Sequence, residues 1–243
     1  MRDRHITLYI PGLFGSDAWS GPEVFTGLLV ADLELMLCRG RRRQRVTQST
    51  EGLLFELLAH AAEAGFPVAA VMQRFDMEES AQGFCFCATP VNMQPDRDRL
   101  VMMGESQLAV TLAEARQLAD EFNQLFAEDG LRLDVPVSNR WYLHSMTKPE
   151  ITTQPLRRVI GQNIGHYLPI GKDAMQWHAI LNEVQMLFYS SQVNERRRQS
   201  GQAEINSFWL WGEGELHVVP QNNWQHVWSN EPLSCALAAL GQN

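Results

Sequence analysis

Apolar and polar positions along the chain fall into short stretches of distinct period. Residues 6–10 alternate as a strand and lead into a turn-rich loop around Pro11-Gly12. Residues 23–37 carry Val24, Leu28, Leu29, Ala31 and Leu35 at helical spacing. Ser49 and Thr50 can cap a second helix to about residue 60 through Leu53, Leu54, Leu57 and Leu58. Three apolar runs, 66–72, 84–88 and 99–103, read as buried strands. Thr111-Leu112-Ala113-Glu114 is a capping box: the threonine hydroxyl can accept the third helical amide while Glu114 reaches back. It opens a helix to about residue 127, with Gly130 beyond its end. Residues 131–135 and 140–144 predict two strands parted by Pro136 and Asn139, and 153–161 a short helical segment. Residues 173–190 predict a helix with Met175, His178, Leu181, Val184 and Leu187 near one stripe, followed by a strand at 205–211 and a closing helix at 231–240.

Strands alternating with helices predict an α/β protein, a layered mixed β-sheet flanked by helices, with antiparallel pairing open to the strands between 66 and 103. At about 150 residues per domain, 243 residues allow one large domain or two small ones. No linker, repeat or low-complexity segment divides the chain, so a single domain over 1–243 is expected. A hydrophobic content of 45% with 20% charged residues excludes a disordered chain. The net charge of −8 gives no overall pull toward nucleic acid or anionic lipid, so neither is expected as a partner. No apolar run approaches the roughly 18 residues of a membrane span, and no secretory pattern opens the chain, so the expected compartment is the cytoplasm. Four cysteines fit that compartment as free thiols; Cys85 and Cys87 alternate with Phe84 and Phe86, which puts the thiols on one strand face and the rings on the other.

Few residues form a chemical constellation. The glycine loop after residues 6–10 resembles the oxyanion loop of α/β-hydrolases, but the chain has no G-x-S-x-G elbow to serve it. Phosphate-loop signatures are absent, and the seven histidines are scattered. Five arginines between 39 and 45 and three at 196–198 form local basic spots that suit a solvated face, a phosphate or an acidic partner. The densest polar and aromatic residues lie in the second half: Arg140-Trp141-Tyr142, Asn182 and Gln185 on the 173–190 helix, and the run from Asn206 to Gly214. In that run Asn206, Phe208 and Leu210 face one way, and Ser207, Trp209 and Trp211 the other, up to a glycine turn. Amides within an apolar helix call for partners, because an unsatisfied buried amide costs roughly 1–3 kcal/mol.

These segments carry a resemblance. Pro90-Val91-Asn92-Met93, Arg97-Asp98-Arg99-Leu100, Arg140-Trp141-Tyr142-Leu143, Leu168-Pro169, Leu181-Asn182-Glu183-Val184-Gln185-Met186, Val193-Asn194 and the Trp209-Leu210-Trp211-Gly212-x-Gly214 segment occur in an order similar to the RpfE-type bacterial regulatory proteins. Those proteins are often labelled cofactor-independent phosphoglycerate-mutase-like, and the resemblance covers about residues 66–240. It implies an alkaline-phosphatase-like fold, whose enzymes use two metal ions held by Asp and His with a Ser or Thr nucleophile. This chain departs from the pattern: Thr89 and Asn92 stand where the family reads Asp and His in A-D-P-V-H-L.

The expected function is therefore a non-catalytic, cytoplasmic regulatory or accessory protein, without metal or cofactor. Its polar-aromatic pocket would be lined by Trp141, Asn182, Gln185, Asn206, Trp209 and Trp211, with Arg196 beside it, for a small anionic ligand or a protein partner. The alternative is a metal-dependent phosphoesterase or phosphoglycerate-mutase-like enzyme. In that case Thr89 would be the nucleophile, Asp98 and Asp173 metal ligands, and Arg140 or Arg196 phosphate contacts. A third reading gives residues 39–45 a protein partner.

Overall fold

The computed structural model describes residues 6–10, 31–41, 49–59, 66–77, 83–97, 99–103, 108–216 and 224–241. They belong to two units, Met1–Gly52 and Leu53–Asn243. In the first, residues 6–10 adopt no regular structure and leave Ile6 and Leu8 exposed. Apolar alternation becomes a strand only where a neighbour takes its backbone hydrogen bonds. Helix α1 (Ala31–Arg39) lies inside the predicted 23–37 helix, whose first half is outside the described residues. Of the basic run, Arg39 and Arg41 are described and exposed, and Arg42, Arg43 and Arg45 lie outside the described residues.

Helix α2 (Thr50–Leu58) crosses into the second unit. That unit then runs α3 (Val68–Met77), β1 (Phe84–Val91), β2 (Met93–Asp96), β3 (Arg99–Met102), α4 (Leu112–Leu125), β4 (Leu131–Val137), β5 (Arg140–Ser145) and β6 (Ile151–Thr152). After 3-10 turns at Leu156–Arg158 and Ile164–His166 come β7 (Ile170–Gly171), α5 (Ala174–Ser190), α6 (Gln192–Gln199), β8 (Ser207–Gly214) and α7 (Pro232–Leu240). The central sheet has the order β4-β5-β1-β8, and its pairings are antiparallel. Two small hairpins, β2-β3 and β6-β7, sit beside it, and the parallel pairing among the described residues is the bridge Met102–Ile160.

Strand β1 is buried along its whole length. Its Phe84, Phe86 and Ala88 join Phe208 and Leu210 of β8 in the main core, against Leu118 and Phe122 of α4 and Trp177, Val184 and Phe188 of α5. Helix α3 covers the other face, touching β1 and β8, and α7 packs on α3. The expected layered α/β architecture is thus present, with helices on both faces of the sheet.

The run 66–72, expected as a strand, instead enters α3. Val68 to Gln73 are all buried, so the run is apolar on every side and its period is hidden; Pro67 accepts from Val71 N at 3.1 Å and starts the helix. The glycines after Trp211 are not a turn: β8 continues through them. Gly212 has φ +65°, and a Cβ there would fall 2.9 Å from Cβ of Val68, so glycine lets α3 seat on the strand. The capping box forms as predicted, with Thr111 accepting from Glu114 N and Glu114 accepting from Thr111 N. Helix α6 is an element that apolar spacing did not predict, because its buried positions are Val193, Asn194 and Arg197.

Candidate functional site

Helix α5, the start of β8, the β2-β3 hairpin and the Ile164–His166 turn enclose a cleft of about 500 Å³. Of the seven residues expected to line a pocket, Asn182, Gln185 and Trp209 do. Asn182 and Gln185 are three apart on α5 and so share a face. They are not buried amides in need of partners: Asn182 is exposed and Gln185 half-buried, and neither has a hydrogen bond to the described residues. Trp209 is buried and donates its indole N–H to the Gln154 carbonyl at 2.8 Å. His178, absent from the expected set, lines the cleft four residues before Asn182. Its Nε2 lies 2.8 Å from the Pro169 carbonyl. A carbonyl only accepts, so Nε2 carries a proton in this contact. Asn163 accepts from Gly165 N at 3.1 Å through Oδ1, which aims its amide nitrogen elsewhere.

The other four expected residues hold the fold. Trp141 sits in the main core and donates to the Ser138 carbonyl at 2.8 Å. Trp211 donates to Thr89 Oγ1 at 2.9 Å. Asn206 clamps Met93, accepting from its N–H at 2.8 Å and donating to its carbonyl at 2.7 Å. Arg196 is exposed, donates to Gln117 at 2.7 Å and does not line the cleft. Its neighbour Arg197 departs from the solvated-face reading of the 196–198 run: it is 1% exposed and binds Glu114, Ala203 O and Leu108 O. The signal was its position four residues after Val193, on the buried side of α6.

A second polar assembly lies between α3 and the sheet. Asp76 accepts two N–H groups of Arg140 at 2.8 and 2.7 Å and the Tyr142 hydroxyl at 2.5 Å. The Asp76 bond holds the Arg140 guanidinium above its ordinary pKa, and burial first, then Cys87, pushes the Tyr142 phenol far up. Beside them His144 Nε2 meets Gln73 at 2.5 Å and Asp134 at 3.1 Å. Burial raises Asp134, but the His144 hydrogen bond and the charges of His144 and Arg132 outweigh it and hold the carboxyl below its usual range. Cys85 and Cys87 are free thiols on this face. Burial, with Glu215 adding to it, pushes Cys85 up to about 12, and burial first, then Cys85, holds Cys87 well above its ordinary value. Thiols held protonated in this way are poor nucleophiles.

The residues proposed for phosphoryl chemistry do not assemble into one site. Thr89 is buried under Trp211, Arg140 is engaged by Asp76, and Asp173 accepts from Glu150 N at 2.8 Å. Asp98 lies outside the described residues. Among the described residues no group of three or more His, Cys, Asp or Glu could hold a metal ion. They therefore do not fit the pair of ions that the resemblance implies. Asn92 is buried and donates to the Glu204 carbonyl at 2.8 Å, while its Oδ1 has no partner among the described residues. No described helix is long and apolar enough to cross a membrane.

No family model matches the chain. Over 143 residues it is 29% identical to a probable 2,3-bisphosphoglycerate-independent phosphoglycerate mutase of Geobacter sulfurreducens, covering 57% of this chain and 35% of that protein. Over 103 residues it is 26% identical to the 2,3-bisphosphoglycerate-independent phosphoglycerate mutase of Methanosarcina mazei, covering 42% of this chain and 26% of that protein. Among solved structures, the cofactor-independent phosphoglycerate mutase of Thermoplasma acidophilum aligns at 15% identity with a TM-score of 0.46, over 70% of this chain and 48% of that one. The chain thus spans about a third or less of the curated relatives it matches, and what it is similar to is the phosphoglycerate mutases.

Proposed function

We propose that this chain is a phosphoglycerate-mutase-like protein that acts on a small phosphorylated acid in the cytoplasm. The observation that carries the reading is the 29% identity over 143 residues to the Geobacter protein. That likeness supports an enzymatic role more than a regulatory or accessory one. The four free cysteines support a reducing compartment. Because the described residues do not fit a metal pair, no catalytic step is assigned to them. Acidic groups such as Asp17, Glu79 and Asp98 lie outside the described residues. A regulatory role of the RpfE type is favoured by one observation: Thr89 and Arg140 are already engaged within the fold.

The test is the interconversion of 3- and 2-phosphoglycerate by the full chain, followed by phosphorus NMR with Mn²⁺, Mg²⁺, Co²⁺ or Zn²⁺. Turnover above the protein-free background in at least one of these conditions is the expected result. No turnover with any of the four overturns the enzymatic reading and leaves the regulatory one.

A further inference from the structure

Among the described residues, the cleft beside α5 is lined by no Lys, Arg, Asp or Glu. A phosphate or carboxylate moved there from water would meet no cation, and a buried charge without a partner is costly. What the cleft does offer is matched pairs of donors and acceptors against an apolar wall. Asn182 and Gln185 each present a free carboxamide, which sets one donor beside one acceptor. Asn163 adds its amide N–H groups. Leu181, Phe208 and Trp209 supply the apolar surface, and about 500 Å³ lies in the usual range for small-molecule sites.

A carboxamide is the side chain whose donor and acceptor fit two neighbouring atoms of opposite hydrogen-bonding sense on a flat ring. The adenine edge, with its N6 amino group beside N7, is such a pair. We infer that this cleft binds an uncharged purine nucleoside with an adenine-type edge, read by the amides of Asn182 and Gln185 and held against the apolar wall. This inference does not rest on the mutase reading.

The experiment is calorimetric titration of the full chain with adenosine. Saturable binding is expected. 7-Deazaadenosine, which lacks N7, and inosine, which replaces the N6 donor with an acceptor, should each bind about tenfold more weakly. AMP should bind no tighter than adenosine, and 3-phosphoglycerate should not compete. The double variant Asn182→Leu, Gln185→Leu changes two side chains that are not buried, so its melting temperature should match the parent while adenosine affinity falls at least about tenfold. The proposal is overturned by absence of saturation, by equal binding of 7-deazaadenosine, by tighter binding of AMP, by competition from 3-phosphoglycerate, or by unchanged affinity in the double variant.

Discussion

On the α4–α5 side of the sheet the contacts are ring against ring. Phe122 lies 4.5 Å from Phe126 and 5.7 Å from Phe208 between centroids, and Phe86 lies 5.0 Å from Trp177. On the α3 side the same strands present Tyr142, His144, Cys85 and Cys87, and α3 answers with Gln73 and Asp76. The first side is held by area removed from water, which is large and indifferent to direction. The second buries Val68, Val71 and Met72 of α3 as well, and adds bonds that require one alignment of helix on strand, since each buried donor and acceptor must find its partner. The polar bonds of the second face fix where α3 sits.

That contrast is broken most directly at Phe122. Phe122→Ala should cost about 3–5 kcal/mol in urea unfolding, because the ring is fully enclosed and the space cannot collapse. Asp76→Asn should cost less, about 2 kcal/mol, since Arg140 keeps some access to water. Here the sharper readout is the double variant Asp76→Asn, Arg140→Met: part of the loss should return, which a purely apolar interface would not show. A cost for Asp76→Asn equal to that for Phe122→Ala would erase the distinction between the faces.

Glu114 offers the smallest effect. Burial raises its carboxyl, but the Thr111 hydrogen bonds and Arg197 outweigh this and hold it below the ordinary value of 4.5. A carboxyl lowered in the folded state stabilises it fully above the unfolded value and loses that contribution as pH falls through the folded one. Glu114→Gln should therefore cost about 1 kcal/mol at pH 7, and the gap from the parent should close as pH drops below 4.5. A gap that stays constant down to pH 2 would mean the ionised form is not what caps α4.

Local chemistry was legible where one stretch of chain decides the outcome. Thr111 and Glu114 announced α4, and the alternation of Phe84 with Cys85 announced two buried faces. Asn182 and Gln185, named as pocket residues, both line the cleft from α5. Legibility failed where distant residues decide. Trp141 and Trp211 find hydrogen-bond partners within the fold, so their aromatic density marked core rather than pocket. Asn163, Met93 and Leu100 reach the cleft from segments that only the tertiary fold brings to α5. Residues 66–72 failed for the opposite reason: a segment buried on all sides has no period left to read.

Strand β1 is shielded on both faces, and its eight residues, Phe84–Val91, carry no charge. Released from the sheet, such a segment is a template for intermolecular pairing, with Pro90 near its end as the one residue that cannot donate to a ladder. Cys85 and Cys87 would become reachable at the same moment and could cross-link neighbouring chains. Heating past the transition should accordingly end in aggregate, which would make the lifetime of this protein in solution a matter of how fast β1 escapes its two layers.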